Sequence, residues 1–403
     1  MHYAFLAKLI PEEFADEVRK NSFNTMQDAA SALELHIHEG LCANLKTNVP
    51  IFNVLPISSF PKYYKKCFVK SGTFSANGYS SQTNIGFCNL KGVRNKSISF
   101  HAFKCLDKWC SENKGDKTIF IYTISASFMV VANRLKKKYA DLKICAIIAD
   151  LPNMSSLDSN KSFVKKISVK LLSRESYSLQ SCVDFYVLLT RQMADYMHIT
   201  KPWCVMEGIA TKFPYVKNKE SLSDDKIILY AGTLHEKFGV KNLVDAFELI
   251  PLQNYKLVIC GVGDSENYIK DLSRKDSRIV FLGQQPRAKV LELIKMASVL
   301  VNPRQNNEEF TKYSFPSKNL EYLSSGIPFV AYKLDGIPNE YDEYINYIEN
   351  DSLDSLKEKL VEIAYDCNGS FKNKALQAVQ FVLQNKSSAP QTKRILDLCL
   401  LSH

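Results

Sequence analysis

At 403 residues, 46% hydrophobic and 23% charged, the chain is long enough for two domains with separate apolar cores. No apolar run reaches the roughly 18 residues of a bilayer span, and eleven cysteines without a CxxC pair exclude a disulfide framework and a zinc ribbon. The net charge of +10 favours anionic partners, whether phosphates, acidic headgroups or nucleic acid.

Pro11-Glu12-Glu13 interrupts the amino-terminal segment before the apolar core of a leader could form, so a reduced, cytoplasmic protein is expected. Residues 3–6 read as a first strand, and 26–41 as an amphipathic helix closed by Gly40. Strands are predicted at 50–55, 118–122 and 143–149, the last stopped by Asp150-Leu-Pro152. A helix is expected at 127–139, another at 161–172, then a strand at 183–189 and a helix at 191–197. Strands alternating with helices specify a parallel sheet covered on both faces, with ligands at the carboxyl ends of the strands.

A second series begins near Lys226. Strands are predicted at 226–230, 255–259, 278–282, 299–302 and 328–331, with helices at 241–250, 288–297 and 318–325. Several strands end in glycine, at Gly232, Gly261 and Gly283. The joint falls near 207–214, followed by the turn-prone KNKESLSDD. Two final helices are expected at 372–385 and 391–400, separated by Ser-Ser-Ala-Pro. The predicted architecture is α/β: two Rossmann-like doubly wound domains facing across a cleft. Residues 1–206 form the first, 207–385 the second, and 386–403 a helix returning to the first.

Five motifs in order carry a resemblance. They are Ile228-Leu-Tyr-Ala-Gly-Thr-Leu with Gly239 and Leu243-Val-Asp-Ala-Phe247; Leu257-Val-Ile-Cys-Gly-Val-Gly263; Val280-Phe-Leu-Gly283; Phe315-Pro-Ser-Lys-Asn-Leu-Glu321; and Ser325-Gly-Ile-Pro-Phe-Val330. The chain resembles the family 4 glycosyltransferases of GT-B fold, strongly over 226–345. Over 1–206 the likeness rests on Ile147-Ile-Ala-Asp-Leu-Pro152, Leu188-Leu-Thr190 and Glu207-Gly-Ile209. It implies transfer of a sugar from a nucleoside-diphosphate sugar with retention and without a metal. The first domain would bind the acceptor and the second the donor.

Chemistry agrees with that assignment at several positions. A diphosphate needs close backbone approach and positive potential, which a glycine turn at the end of a strand offers at Gly232. Lys237 follows in the same loop. The family's usual arginine after this glycine is replaced by Thr233, and Arg304 and Lys318, at loops on the same sheet edge, are the expected substitutes. Gly261 and Gly263 form either a turn beside the nucleobase or a plain strand exit. Glu321 is expected to accept hydrogen bonds from the ribose hydroxyls, since a carboxylate takes two donors at once. The family's paired glutamate would fall at 313, where this sequence has Tyr313 beside Ser314, with Glu308 and Glu309 off register.

On the acceptor side, Asp150 is either a catalytic carboxylate beside the reacting sugar or an Asp-Leu-Pro turn residue. His235 stands in the first donor loop and can be structural. His36 and His38, two apart, do not share a helical face and form no metal pair. Lysines interleave with apolar residues at 60–70 and 160–174, which suits an anionic membrane surface and a lipid-linked saccharide acceptor; no nucleic-acid motif accompanies the charge. A peripheral protein of the inner membrane face, acting in bacterial surface-polysaccharide assembly, is the expectation. The rival readings are a nucleotide-sugar 2-epimerase of similar fold and a non-catalytic nucleotide-sugar or membrane-binding partner.

Overall fold

The computed structural model describes residues 1–23, 28–151, 180–214, 226–251 and 253–400. The chain divides into two units: Met1–Ile209 with Ser388–His403, and Ala210–Ser387.

The first unit carries β1 (His2–Ala7), α1 (Glu12–Asn21), α2 (Asp28–Leu45), β2 (Ile51–Asn53), β3 (Phe68–Val69), β4 (Gly72–Ala76), β5 (Tyr79–Asn84) and β6 (Phe87–Cys88). Then follow α3 (Arg94–Glu112), β7 (Lys117–Tyr122), α4 (Ala126–Lys138), β8 (Leu142–Ile148), β9 (Phe185–Leu188), α5 (Gln192–Tyr196) and β10 (Trp203–Val205). Its sheet runs β10-β9-β8-β7-β1-β2-β5-β4, parallel except for the edge strand β4, while β3 and β6 pair separately and antiparallel. Strands such as KTIFIY and LKICAII are apolar on both faces because helices cover both faces of the sheet. The core joins Phe5, Phe120, Cys145 and Phe185 of the sheet to Ile37 and Leu41 of α2.

The second unit contains β11 (Lys226–Ala231), α6 (Val240–Glu248), β12 (Tyr255–Cys260), α7 (Glu266–Lys275), β13 (Ile279–Gly283), α8 (Arg287–Met296) and β14 (Val299–Asn302). α9 (Ser317–Leu323), β15 (Phe329–Tyr332), β16 (Asn346–Ile348), α10 (Leu353–Ala364) and α11 (Ser370–Asn385) complete it. Its sheet is wholly parallel in the order β13-β12-β11-β14-β15-β16. Counted within the unit this is 3-2-1-4-5-6, the dinucleotide-fold order, which reverses direction between β11 and β14.

Two expectations are corrected. Gly40 does not close a helix: α2 continues to Leu45. A Cβ at Gly40 would stand 2.1 Å from the Ser388 carbonyl oxygen, so the glycine lets the terminal helix α12 (Ser388–Leu400) lie against α2. Nor does Ser-Ser-Ala-Pro separate two helices cleanly, because Ser388 to Pro390 form the first turn of α12, where a proline lacks no intrahelical bond. α1, α3, β3 to β6, β10, α7, α10 and β16 were not expected. The predicted helix at 161–172, with its basic face, lies outside the described residues. No described helix is long and apolar enough to cross a membrane.

Candidate functional site

At the reversal point of the second sheet, the carboxyl ends of β11 and β14 open into a cavity of about 390 Å³. Its walls come from strand exits and from the start of α9: Gly232, Gly261, Asn302, Arg304, Lys318 and Tyr322. Glycine is required here for backbone packing. Gly261 has φ +144°, and a Cβ on it would lie 1.8 Å from the Gly232 carbonyl oxygen; one on Gly263 would lie 2.4 Å from the Leu234 carbonyl carbon. The loops after β11 and β12 therefore stack main chain on main chain, joined by Gly232 N–H to Cys260 O at 2.9 Å and Leu234 N–H to Val262 O at 2.9 Å. The second reading of Gly261 and Gly263, a tight strand exit, describes their local contacts; Gly261 also lines the cavity.

Positive charge enters from two sides. Arg304 leaves β14 with its guanidinium carbon 4.1 Å from the Phe238 ring centre and 5.6 Å from that of Phe310. Its Nε is buried without a hydrogen-bond acceptor. Burial lowers the Arg304 pKa, and neighbouring Tyr230 works against that shift. Lys318, in the first turn of α9, is depressed by burial, supported by Glu321 and opposed by Arg287. α9 is itself anchored: Asn302 Nδ2 donates to Asn319 Oδ1 at 2.8 Å, and Tyr322 OH accepts from Ala231 N–H at 3.3 Å. Among the described residues no acidic side chain lines the cavity. Val262, Gln284, Gln285 and Val290 make its far wall apolar and amide-bearing, a surface for a planar base rather than a phosphate.

The other expected donor residues stand around this cavity rather than in its wall. Glu321, 15% exposed, is ion-paired to Arg287 and lies 3.7 Å from Lys318. Its carboxylate thus faces two cations, one of them the cavity's lysine. Lys237 packs its ammonium 5.5 Å from the Phe310 ring centre, sharing the two rings with Arg304. Gly263 lies under the Leu234 backbone, Tyr313 ends a 3-10 turn, and the Ser314 hydroxyl is buried without a partner. Glu308 and Glu309 are exposed. His235 is bound to Asp264, Nδ1 to Oδ2 at 3.0 Å.

The first sheet reverses direction between β1 and β7, and there the chain places charges that sequence reasoning missed. Lys8 follows β1, and its ammonium lies 4.8 Å from the Phe128 ring centre at the start of α4. The loop 8–10 is fixed by side chains: Lys8 N–H donates to Glu34 Oε2 at 2.6 Å, Leu9 N–H to Asn53 Oδ1 at 2.9 Å, and Ile10 N–H to Ser31 Oγ at 3.0 Å. Glu34 is 0% exposed, and its Oε1 has no partner. Burial raises its pKa well above the carboxylate range against the Lys8 N–H and charge. Burial lowers Lys8 to about 8, Arg94 lowers it further, and Glu34 opposes both. Tyr122, at the end of β7, is pushed up by burial and by the charges of Glu34 and Asp150.

Asp150 lies two residues beyond β8, exposed, in a bend. Asn53 and Glu34 carry a recoverable signal: polar residues at positions where strand or helix periodicity demands burial.

Residues 213–367 match the family Glycosyl transferases group 1. That match falls within the second unit and spans most of it. A stretch of 129 residues is 30% identical to an uncharacterized glycosyltransferase of Methanocaldococcus jannaschii, covering 31% of this chain and 32% of that protein. The chain thus matches about a third of that relative's length. Solved structures align over the whole chain. Sucrose-phosphate synthase from Thermosynechococcus elongatus superposes with a TM-score of 0.64 at 13% identity, covering 100% of both chains. The lipopolysaccharide outer core galactosyltransferase WaaB gives 0.61 at 15%, and HepE of Anabaena in complex with UDP gives 0.62 at 13%, each again covering 100% of both. These likenesses establish the GT-B fold.

Proposed function

We propose that the protein is a glycosyltransferase that moves a sugar from a nucleoside-diphosphate sugar to an anionic or lipid-linked saccharide acceptor, with retention at the anomeric carbon. The observation that carries the reading is the cavity at the β11/β14 reversal, with no acid among its described lining residues and with Lys318 and Arg304, whose Nε lacks an acceptor, at its wall. A diphosphate leaving group supplies the acceptors that Arg304 lacks, and the two cations neutralise the charge that grows on it as the glycosidic bond breaks. No metal is needed for that task. Val262, Gln284 and Gln285 suit the base. Asp150 takes the acceptor side, as the group that receives the acceptor proton or faces the cationic anomeric carbon. Activity in surface-polysaccharide assembly belongs to the same proposal.

One similar structure is a UDP complex, which puts UDP-sugars first in the test. A thermal-shift panel of UDP-, GDP-, ADP- and dTDP-sugars should show at least one that raises the unfolding temperature, and Arg304→Gln should abolish that rise. Release of nucleoside diphosphate in the presence of acceptor then separates a transferase from a binder. Stabilisation that survives Arg304→Gln would overturn the donor assignment.

A further inference from the structure

The first unit holds a larger cavity than the donor pocket, about 650 Å³, between the β3/β6 pair, β5 and α3. Val69, Ile85 and Phe87 form part of its apolar wall, and Phe68, 70% exposed, stands at its mouth. Gly86 makes it possible: a Cβ there would lie 2.6 Å from the Ser71 nitrogen, so only glycine lets the two short strands close over the wall. His101, Lys104 and Lys108 of α3 border it, at the i, i+3, i+7 spacing that puts them along one helix face. No acidic residue lines the cavity, and the Lys108 side chain is 75% exposed with Glu112 at 3.8 Å.

We infer that this groove seats a single hydrocarbon chain of an anionic amphiphile, with the acidic head against Lys104 and Lys108. Three observations point to that occupant. The volume falls within the roughly 300–1,000 Å³ of ligand pockets. An apolar wall ending in a row of cations, with Lys108 in a loose, exposed pair with Glu112, complements an alkyl phosphate. Two polar groups at the groove are already paired: Cys88 N–H donates to Ser97 Oγ at 2.9 Å and Asn84 Nδ2 to Lys70 O at 3.2 Å. A peptide backbone would find little to pair with there, and a hydrocarbon needs nothing. Asn84 also connects the groove to the reversal point of the first sheet, since its Oδ1 accepts from Asn53, which holds Leu9. The inference rests on the proposed transferase for the identity of the lipid, as the tail of the acceptor, and not for binding itself.

The test uses the full chain without any sugar nucleotide. Equilibrium dialysis compares dodecyl phosphate, dodecyl maltoside and inorganic phosphate, with both detergents below their micelle concentrations. Dodecyl phosphate should bind at least tenfold more tightly than the maltoside, with inorganic phosphate competing poorly. The double variant Lys104→Glu, Lys108→Glu should erase the preference at an unchanged unfolding temperature, and Val69→Trp should weaken both amphiphiles. Equal affinity for the two detergents, a preference that survives charge reversal, or full competition by inorganic phosphate would each overturn the seat. So would binding to anionic vesicles without binding to monomeric dodecyl phosphate, which means surface contact alone. The sugar-nucleotide thermal shift on the same variants should stay at the parent value; its loss in the parent counts against the donor reading only.

Discussion

The two sheets reverse direction by the same topological device and equip the reversal with opposite materials. In the second unit the point between β11 and β14 is built of glycines packed main chain to main chain, with cations brought in from flanking elements. In the first unit the point between β1 and β7 is built of poorly solvated ionisable groups: Lys8 above Phe128, Glu34 enclosed in α2, and Tyr122, which feels both Glu34 and Asp150. Glycine leaves room for a ligand of fixed shape, such as a diphosphate. Buried charge stores a poorly solvated ion that a polar ligand relieves, which lets the site answer to chemistry rather than outline.

The sharpest way to break this contrast is Asp150→Asn. If the first reversal point carries the reaction, turnover should fall by about 10²–10⁴, the usual worth of a general base, with nucleotide-sugar affinity unchanged. Steady-state kinetics with a thermal-shift control decide it, and unchanged turnover would leave Asp150 without a catalytic part. Next comes Arg304→Gln. Loss of a charged hydrogen-bonding group should weaken donor binding by about 2–3 kcal/mol, roughly 30- to 150-fold, at little expense in folding. Calorimetric titration with the best nucleotide sugar measures it.

Lys8→Met tests the stored charge directly. A lysine depressed from 10.5 to about 8 contributes stability above pH 10.5 that is lost as the pH falls through 8. The variant should therefore unfold at higher temperature than the parent at pH 7, by the equivalent of about 1–3 kcal/mol, and the gap should close toward pH 10. Activity should drop at the same time. A variant no more stable at pH 7 would mean that the ammonium is well solvated. The smallest effect is expected for Glu321→Gln. If the carboxylate orients Lys318 rather than holding ribose, donor affinity should fall about threefold to tenfold and depend more strongly on salt, as Arg287 and Lys318 lose their partner. A loss of a hundredfold or more, insensitive to salt, would restore the ribose contact.

The same contrast explains what the sequence disclosed. Five strands of the second sheet, all but β16, were readable almost to the residue, helped by apolar runs such as KIILY and YKLVI that lead into glycine turns, where the backbone needs it. Gly40 misled for the same reason: glycine signals close approach as well as termination, and here the approaching group is Ser388. α3 escaped notice because its buried stripe includes Ser99 and Cys110 while Phe100 lies on the exposed side, so the amphipathic contrast is blurred. Lys8 and Glu34 were not singled out, since nothing local sets apart a lysine after a strand or a glutamate within a helix; only the three-dimensional packing of α2 and α4 brings them together. Arg304 and Lys318 were found because their loops follow the right strand and precede the right helix, whereas the ion pair of Glu321 with Arg287 joins helices 34 positions apart and leaves no local pattern.

The return of α12 to the first unit has a consequence for how the protein is made. Ile395, Leu396 and Cys399 belong to the same core cluster as Ile37 and Leu41, yet residues 210–387, 178 in number (387 − 210 + 1), must be synthesised between the two parts of that unit. At about 5–20 residues per second, the nascent first unit waits roughly 9–36 s for its closing helix while the second unit is translated. During that interval the face of α2 that receives α12, including Gly40, is open to chaperones or to other nascent chains. The second unit, contiguous in sequence, needs no such wait and finishes folding before the first.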